Sequence, residues 1–550
     1  MRNPLFYRAL NSLPLAGFRR GAHQFHSAVA NPEEVQRGLL IDLLKKNRES
    51  AFGRQYGFES IGGVREYRDR VPLATYDELT PWIERVQSGE RDVLTSEPVL
   101  AFEKSSGSAS AAKYIPYTQT LRRQFQSALA PWITDMHYAF PRVSRGCAYW
   151  VVTPLSRERE VTGGGIPVGF ESDAEYFGPV QQWILGKIMA VPSDLARVPD
   201  LEDCIYLTLR FLLQARSLAF ISVWSPSFLL ILLDRLQQHG ERLVRDLHKG
   251  NADVVSRISP KLARLLRRDA RQAENLRAML RREQIEAKGL WPQLALISCW
   301  TSAASAPMKS EVEQRFPGVV IQGKGLLATE GVVSIPIEKY HAPVAAVTSH
   351  FLEFFDEHSG ECRLVAELDE GREYSVVLTT GGGLWRYRLG DRVRVLGFAE
   401  RTPLLEFVGK EDCVSDLRGE KLNAVFVANT LAEFECCRIA SFAMLAPSAA
   451  GTPHYTLFLE SGDCQLDLAL RLDQKLQANP HYAYCRRIGQ LGELRIFRIN
   501  RDARDSYVNH CAALGQRAGS VKMTALDRRL GWEHVFRGAY MQAGMTEVCA

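Results

Sequence analysis

The sequence predicts an α/β protein in two parts. A large N-terminal domain, residues 1–409, should hold β-sheets flanked by helices, and a smaller α+β C-terminal domain, residues 410–550, should follow it. The chain has 550 residues, which is too long for one ordinary core. Short β-branched runs alternate with amphipathic segments in the first part, and a shorter helix–strand–helix–strand pattern follows the polar break at Gly409-Lys410-Glu411-Asp412.

Composition and charge narrow the class of protein. Hydrophobic residues make up 46% and charged residues 24% of the chain, which is typical of a globular protein in water. The net charge of +5 is too small an excess to predict a nucleic-acid partner. Eleven cysteines are scattered without a C-x-x-C pair, which favours reduced thiols in the cytoplasm over disulfides or a zinc site.

Neither apolar nor basic stretches predict a membrane span. The most apolar region, Ile205 to Asp234, is broken by polar residues and Pro226, so we interpret it as buried helices. The first 32 residues are basic and lack acids, which favours a helix packed on the body over a targeting segment. Arg257 to Lys288 carries ten basic and four acidic residues, and a solvated helix face is favoured over a membrane or RNA surface.

Helix starts and strands can be placed along the chain. Asn31-Pro32-Glu33-Glu34 and Thr75-Tyr76-Asp77-Glu78 have the acidic first turns of helix N-termini. Compact apolar runs predict strands, and these are Val99 to Phe102, Cys147 to Thr153, Leu294 to Cys299, Val319 to Ile321, His350 to Asp356, Arg363 to Leu368 and Leu404 to Val408.

Three stretches carry candidate chemistry. The first, Lys104 to Lys113, follows a predicted strand with small and hydroxyl residues and ends in a lysine. Such a loop can bring backbone N–H groups and hydroxyls to phosphate oxygens, although its spacing is not that of a Walker P-loop. A solvated linker has the same composition, so this stretch alone leaves both interpretations open.

In the second stretch, Thr329 and Glu330 stand side by side after a predicted strand. A hydroxyl beside a carboxylate can hold a Mg²⁺-bound phosphate. Thr329 is equally acceptable as the N-cap of a helix. In the third stretch, Ser375 to Phe398, a β-branched run reaches three glycines and then an alternating segment. Gly390-Asp391 is expected to end that strand, either as an ordinary turn or with Asp391 facing a ligand.

In this order, the three stretches resemble the adenylate-forming superfamily of acyl- and aryl-CoA synthetases, peptide synthetase adenylation domains and luciferase. Within it they are most similar to the auxin-responsive promoter family of acyl-acid amido synthetases. Ser105 to Lys113 resembles the phosphate loop S/T-S-G-[ST]-T-G-x-P-K, Ala328 to Gly331 the Thr-Glu motif, and Tyr387 to Asp391 the motif Y-R-x-G-D. Gly409 to Asp412 is similar to the hinge motif, and Gly515 to Lys522 to a C-terminal segment that ends in a lysine.

The resemblance implies ATP and Mg²⁺ and assigns a role to each motif. The nucleotide would be bound by Ser105, Ser106, Gly107, Ser108, Lys113, Thr329, Tyr387, Arg388 and Asp391. Asp391 would hold the ribose hydroxyls, Glu330 would contact the metal, and Glu330 and Lys522 would be catalytic. A mobile C-terminal domain would swing about Asp412. The loop departs from the family pattern at Ala109, Ser110 and Ala112, which removes a hydroxyl donor and a flexible glycine.

The resemblance implies a two-step ligase. It adenylates a small carboxylic acid and then transfers the acyl group to an amine, that of an amino acid. A thiol acceptor such as coenzyme A is the alternative enzyme, and a non-catalytic acyl- or nucleotide-binding homologue is the alternative outside enzymes. The acyl pocket is expected between about Trp150 and Trp300. Indole acids, jasmonate-like acids, benzoates and fatty acids remain open as substrates. A cytoplasmic monomer or weak dimer without a nucleic-acid partner is expected.

Overall fold

The fold was analysed in a computed structural model of the chain. It describes residues 4–105, 113–151, 160–169, 179–281, 287–302, 306–411, 414–449, 451–462, 467–516 and 518–541. We call the described residues up to 409 the body and those from 410 the lobe. This division of the chain stays a prediction: the strand Thr402–Lys410 runs one residue across it, and one apolar cluster holds Ile231 together with residues of the lobe.

Helices surround the sheets of the body. They are α1 (Pro4–Ala28), α2 (Pro32–Asn47), α3 (Ala51–Gln55), α4 (Val64–Arg70), α5 (Tyr76–Gln87), α6 (Gln119–Ala139), α7 (Pro179–Ile188), α8 (Leu201–Gln214), α9 (Pro226–Gln238), α10 (Gly240–Lys249), α11 (Pro260–Ala263), α12 (Ala270–Leu280), α13 (Ala287–Leu290) and α14 (Ala306–Arg315). The Thr75 side chain caps α5 in a reciprocal capping box with Glu78, as the sequence predicts for this start.

The body contains an antiparallel and a parallel sheet. Its strands are β1 (Ala101–Ser105), β2 (Lys113–Tyr117), β3 (Cys147–Trp150), β4 (Leu218–Ser222), β5 (Leu296–Cys299), β6 (Val320–Gly323), β7 (Ser334–Ile335), β8 (Val344–Ala345), β9 (Phe351–Asp356), β10 (Glu361–Leu364), β11 (Glu373–Thr379), β12 (Tyr387–Ala399) and β13 (Thr402–Lys410). The order β10-β9-β11-β12-β13-β8-β7 forms the antiparallel sheet, and β3-β4-β5-β6 forms the parallel one. Strands β1 and β2 form a separate hairpin ladder.

Each sheet of the body has its own core. Helices α2 and α5 and the strands β9, β11 and β12 share one apolar cluster, in which Trp385 is fully buried. Helices α8 to α10 cover the parallel sheet in a second cluster. The parallel strands end at Trp150, Ser222, Cys299 and Gly323, and the carboxyl edge of such a sheet is where ligands usually bind.

The lobe is a small α+β unit. Its elements are β14 (Val414–Ser415), β15 (Leu422–Asn423), α15 (Ala424–Ala432), α16 (Glu435–Arg438), β16 (Phe442–Ser448), β17 (His454–Glu460), α17 (Leu468–Leu476), α18 (Pro480–Arg487), β18 (Arg495–Ile499), α19 (Ala503–Ala513) and β19 (Gly538–Tyr540). The sheet β16-β17-β18-β19 separates two apolar clusters. The α/β class and the α+β C-terminal unit predicted from the sequence are confirmed.

Several local predictions were wrong. The strand predicted at Arg363 to Leu368 ends at Leu364 and is followed by the short 3₁₀ helix Val365–Glu367. The apolar region from Ile205 to Asp234 holds the buried strand β4 between α8 and α9, because a fully buried parallel strand and a buried helix have the same apolar run. Gly390-Asp391 does not end a strand but lies within β12, where Gly390 takes a φ of 78° and the register with β11 shifts. The predicted basic N-terminal helix is present, and Asn11 of α1 donates a hydrogen bond to the Ser144 carbonyl at 3.1 Å. Among the described helices, none is long and apolar enough to cross a membrane.

Replacing Glu353 with glutamine should destabilise the body. Glu353 is 1% exposed and accepts hydrogen bonds from Arg386 Nε at 3.0 Å and Arg68 Nε at 2.8 Å. The neutral amide leaves Arg386 buried without its carboxylate, so we expect a loss of about 3–5 kcal/mol in urea unfolding followed by tryptophan fluorescence. Glu406→Gln, which removes a half-exposed partner of Arg394, should cost at most about 1 kcal/mol. Equal losses of unfolding free energy in both variants would contradict a stabilising role for the buried ion pair of Glu353 with Arg386.

Candidate nucleotide-binding site

Asp391 and Lys410 form one wall of the candidate site. They are direct cross-strand partners on β12 and β13, and Lys410 Nζ lies 3.2 Å from Asp391 Oδ1. Asp391 is only 3% exposed, whereas the Lys410 side chain keeps 45% of its surface in solvent. The carboxylate is thus fixed within a sheet, next to a lysine that remains open to a ligand.

Lys113 and Tyr387 form the adjoining wall. Lys113 begins β2, directly after the part of the phosphate loop that lies outside the described residues, and its Nζ donates to Tyr387 Oη at 3.2 Å. The Lys113 ammonium also lies 5.6 Å from the centre of the Tyr76 ring. Tyr387 is fully buried at the start of β12, where the strand pairs with Ala74. The structure therefore joins the first and third candidate stretches.

The glycines before Tyr387 make this approach possible. A Cβ atom on Gly381 would lie 2.4 Å from Thr120 Cγ2, and one on Gly382 would lie 2.4 Å from the Pro116 carbonyl oxygen. Since backbone and buried side chains cannot move aside at such distances, only glycine lets this turn pack against β2 and the start of α6.

Thr329 and Glu330 occupy the tip of a tight turn. The Ala328 N–H donates to the Gly331 carbonyl at 2.9 Å, and the Gly331 N–H donates back to the Ala328 carbonyl at 3.3 Å. No helix begins here, so the alternative of Thr329 as a helix cap is wrong. The Thr329 carbonyl accepts a hydrogen bond from Tyr117 Oη at 2.6 Å, which ties the turn to β2.

The buried carboxyl of Glu330 interacts electrostatically with Asp391, Lys410 and Lys113 of the two walls. Burial is the main cause that raises the pKa of Glu330, and the negative charge of Asp391 acts in the same direction. The positive charges of Lys410 and Lys113 oppose this rise. Glu330 is therefore within electrostatic reach of both walls, although it lies far from them in sequence.

Lys522 reaches the site from the lobe. Its Nζ lies 3.9 Å from the centre of the Trp300 ring, just beyond the carboxyl end of β5. Lys522 is exposed to solvent on one side and packs against the Trp300 ring on the other. This partial burial lowers the pKa of Lys522 to about 8, against the opposing charge of Asp391 and with the help of Lys410.

Not every predicted residue joins this cluster. Ser106, Gly107 and Ser108 lie outside the described residues, and so does the predicted hinge residue Asp412. Ser105 ends β1, opposite Lys113 in the hairpin ladder. Arg388 contacts Glu411 through Nη2 at 3.1 Å and lies 4.9 Å from the Phe355 ring, so its guanidinium ties β12 to the end of β13.

Sequence reasoning missed two residues of the cluster. Lys410 was included only in the predicted hinge, although a hairpin between β12 and β13 would have placed it opposite Asp391. Trp300 was considered only as a boundary of the acyl pocket, and its contact with Lys522 depends on how the lobe docks. A lysine and a tryptophan at strand ends carry no local signal of such contacts.

The residues fit a magnesium-bound nucleotide. Within the described ranges no group of three or more His, Cys, Asp or Glu side chains could hold a metal by itself. Mg²⁺ in phosphate sites is commonly held by one or two carboxylates together with phosphate oxygens, which suits the single buried Glu330. A bound cation would also favour the ionised form of this carboxyl despite its burial.

The site combines converging lysines with two buried carboxylates. It lies at the edge of a parallel sheet and beneath a small α+β lobe. This arrangement fits an α/β protein that binds a nucleotide. Three sequence models of one family cover this chain: the GH3 family N-terminal domain matches residues 21–321, the central domain 344–410 and the C-terminal domain 422–529. The chain belongs to the GH3 family.

Similar proteins cover most of the chain. An indole-3-acetic acid-amido synthetase GH3.2 of Arabidopsis thaliana is 24% identical and covers 78% of this chain and 84% of its own length. A probable indole-3-acetic acid-amido synthetase GH3.12 of Oryza sativa subsp. japonica is 23% identical over 91% of this chain and 92% of its own. The solved structure of a GH3.15 acyl acid amido synthetase has the same fold, with a TM-score of 0.81, 18% identity and coverage of 95% and 96%.

Proposed function

We propose that this chain is an ATP-dependent acyl acid amido synthetase, which adenylates a small carboxylic acid and transfers the acyl group to the amine of an amino acid. Membership of the GH3 family, whose curated relatives are amido synthetases, supports the class of reaction. The observation that carries the proposal is the convergence of Lys113, Lys410 and Lys522 on two buried carboxylates, Asp391 and Glu330.

Adenylation joins an anion to a polyanion. A carboxylate oxygen attacks the α-phosphorus of ATP, the bond to the β-phosphate breaks, and pyrophosphate leaves with the bonding electrons. No proton is transferred, so the main demand on the site is to neutralise charge. Lys113 is directed into the cleft by Tyr387, and Lys522 by Trp300, so both ammonium groups are fixed before a ligand arrives.

The two carboxylates have separate tasks. Asp391, held within β12, accepts hydrogen bonds from the ribose hydroxyls and so orients the nucleotide. Glu330 would hold Mg²⁺, which when bound neutralises phosphate charge and favours departure of pyrophosphate. Glu330 is 6% exposed, so little water reaches this carboxyl.

Amide formation follows in the second step. The amine attacks the acyl carbonyl, a C–N bond forms, the C–O bond to phosphorus breaks, and AMP leaves with the electrons while the amine loses a proton. The lobe swings about Asp412 between the steps and withdraws Lys522 from the cleft. We place this reaction in the cytoplasm, because the chain carries eleven scattered cysteines and those the structure describes form no disulfide.

Product analysis tests the function. The purified protein is supplied with ATP, Mg²⁺, a set of indole, jasmonate-like, aromatic and fatty acids, and either amino acids or coenzyme A. We expect AMP, pyrophosphate and an acyl–amino acid amide, detected by mass spectrometry. A thioester formed only with coenzyme A would replace the amine with a thiol acceptor, and ATP binding without turnover of any acid would overturn both enzyme functions.

The pH dependence of adenylation should report Lys522. The pKa of this ammonium is lowered to about 8, so its positive charge is present below that pH and is lost above it. We expect kcat/KM for ATP, which follows the free enzyme, to fall about tenfold per pH unit on the alkaline side. In Lys522→Arg the fall should disappear, because arginine stays charged. An identical alkaline limb in both forms would contradict a role for this charge.

A further inference from the structure

Two ion pairs join the lobe to the body at α19. The Arg504 guanidinium donates to both oxygens of Glu311 on α14, through Nη1 at 3.1 Å and Nη2 at 2.7 Å. Its Nε donates to the Ser441 carbonyl within the lobe at 2.8 Å. The Arg504 side chain is 13% exposed and that of Glu311 is 35% exposed, so this bidentate pair is partly shielded from water.

The second pair is anchored from the opposite side. Arg235 of α9 donates to both oxygens of Glu202 on α8, at 2.9 and 3.1 Å, which fixes the guanidinium to the body. Its remaining Nη1 lies 2.8 Å from Asp505 Oδ2 of the lobe. Asp505 is 17% exposed. We call the pairs Arg504–Glu311 and Arg235–Asp505 the lobe clamp.

Apolar packing beside the clamp orients the lobe less specifically. Ile231 of α9 is buried among lobe residues that include Phe442 and Val508. Such contacts favour burial but tolerate small rotations, whereas a bidentate ion pair fixes distance and orientation together. The clamp is therefore the directional part of this interface.

Helix α19 connects the clamp to Lys522. It packs against the short 3₁₀ helix Ala518–Ser520, and Lys522 follows two residues later. Tyr507, on the same helix as both clamp residues of the lobe, shares its hydroxyl proton between the Lys522 carbonyl at 3.4 Å and Asp527 Oδ2 at 3.5 Å. A rotation of α19 must therefore displace the backbone that carries Lys522 over Trp300.

We propose that the lobe clamp positions Lys522 for adenylation, and that it opens before the amine is transferred. The proposal rests on the proposed function and deepens it, because the four clamp residues act through Lys522 and do not touch the reactants. The clamp sets the fraction of molecules in the arrangement that adenylates. Weakening it shifts that population toward the arrangement in which Lys522 is withdrawn.

The two half-reactions separate this role from a general structural one. Adenylation is followed by exchange of labelled pyrophosphate into ATP, and amide formation by a single turnover of preformed acyl-adenylate with the amine. In Arg504→Ala we expect adenylation to fall about three- to tenfold, the effect of one partly shielded ion pair. The single turnover should be unchanged or faster.

Rescue and a matched control sharpen the test. Arg504→Glu combined with Glu311→Arg restores opposite charges across the interface and should recover most of the lost exchange. Lys475→Ala removes an ion pair of similar length, 2.7 Å to Glu433, that lies wholly within the lobe, and it should leave both half-reactions unchanged. Equal losses of both half-reactions in Arg504→Ala, or no rescue by the reversed pair, would overturn the proposal.

Hydrogen exchange tests the clamp without catalysis. Backbone amides of Ala518 to Met523 should exchange faster in Arg504→Ala than in the wild type and slow again in the reversed pair. Unchanged exchange in this segment would overturn the clamp even if the protein adenylates acids. A wild-type protein that adenylates no acid, but shows the expected exchange pattern, would instead overturn the proposed function and leave the clamp standing as a structural coupling of lobe and body.

Discussion

Replacement of Lys522 with alanine is expected to lower the rate of adenylation by about 10²–10³, the cost of losing one fixed charge in a shielded site. Attack of a carboxylate on a triphosphate brings together groups that repel each other, and Lys522 is the lysine that reaches them from the lobe. Its ammonium lies 3.9 Å from the centre of the Trp300 ring, which shields one side of the charge from water. Exchange of labelled pyrophosphate into ATP measures the effect.

The second half-reaction serves as the control for this variant. Transfer of the acyl group from preformed acyl-adenylate should change little in Lys522→Ala, because the proposed swing of the lobe withdraws this lysine before the amine attacks. Lys475→Ala, an exposed lysine of the same lobe, should leave both rates unchanged. If pyrophosphate exchange in Lys522→Ala equals that of the wild type, the assignment of Lys522 is refuted.

Asp391→Ala is expected to lower kcat/KM for ATP by about 10²–10³, the effect of two hydrogen bonds to a charged acceptor. The carboxylate is 3% exposed and held within β12, so its removal leaves the ribose hydroxyls without this acceptor. The wild type should therefore prefer ATP over dideoxyATP, which lacks both hydroxyls. The variant should use the two nucleotides equally well.

The comparison of ATP with dideoxyATP separates the contact of Asp391 with the ribose from its ion pair with Lys410. Loss of the carboxylate also removes the ion pair with Lys410, but that effect is the same for both nucleotides. Asp369→Ala, which removes an aspartate with 63% of its side chain exposed in the same sheet region, should leave the preference intact. A variant Asp391→Ala that still discriminates against dideoxyATP would show that another group binds the ribose.

Local patterning predicted most of the fold for a physical reason. Amphipathic periodicity and the capping box at Thr75 depend on residues close in sequence, so α2 and α5 begin where expected. The sequence did not predict strand β4, because each of its side chains is buried and apolar and polar residues therefore do not alternate along it. The prediction that Gly390-Asp391 ends a strand failed for another reason. A bulge lets β12 continue through a glycine that would otherwise end it.

In the candidate site, too, features within one short stretch could be predicted and contacts between distant stretches could not. Its motifs could be recognised because each is a short stretch, and in the structure Lys113 Nζ lies 3.2 Å from Tyr387 Oη. The pairing of Asp391 with Lys410 follows from a plain β12–β13 hairpin, because the two register shifts between these strands cancel, but Lys410 was assigned only to the hinge. The contact between Lys522 and Trp300 depends on the docking of the lobe, which no stretch of sequence specifies.

The most direct test of the central claim follows one oxygen atom. A carboxylic acid that supports pyrophosphate exchange is labelled with heavy oxygen in its carboxylate and converted to the amide. If the acid is activated as an acyl-adenylate, its bridging oxygen stays on phosphorus when the amine expels AMP, so the AMP must carry one labelled oxygen. Unlabelled AMP, label in pyrophosphate or inorganic phosphate, or AMP formed equally well without any acid would contradict the account.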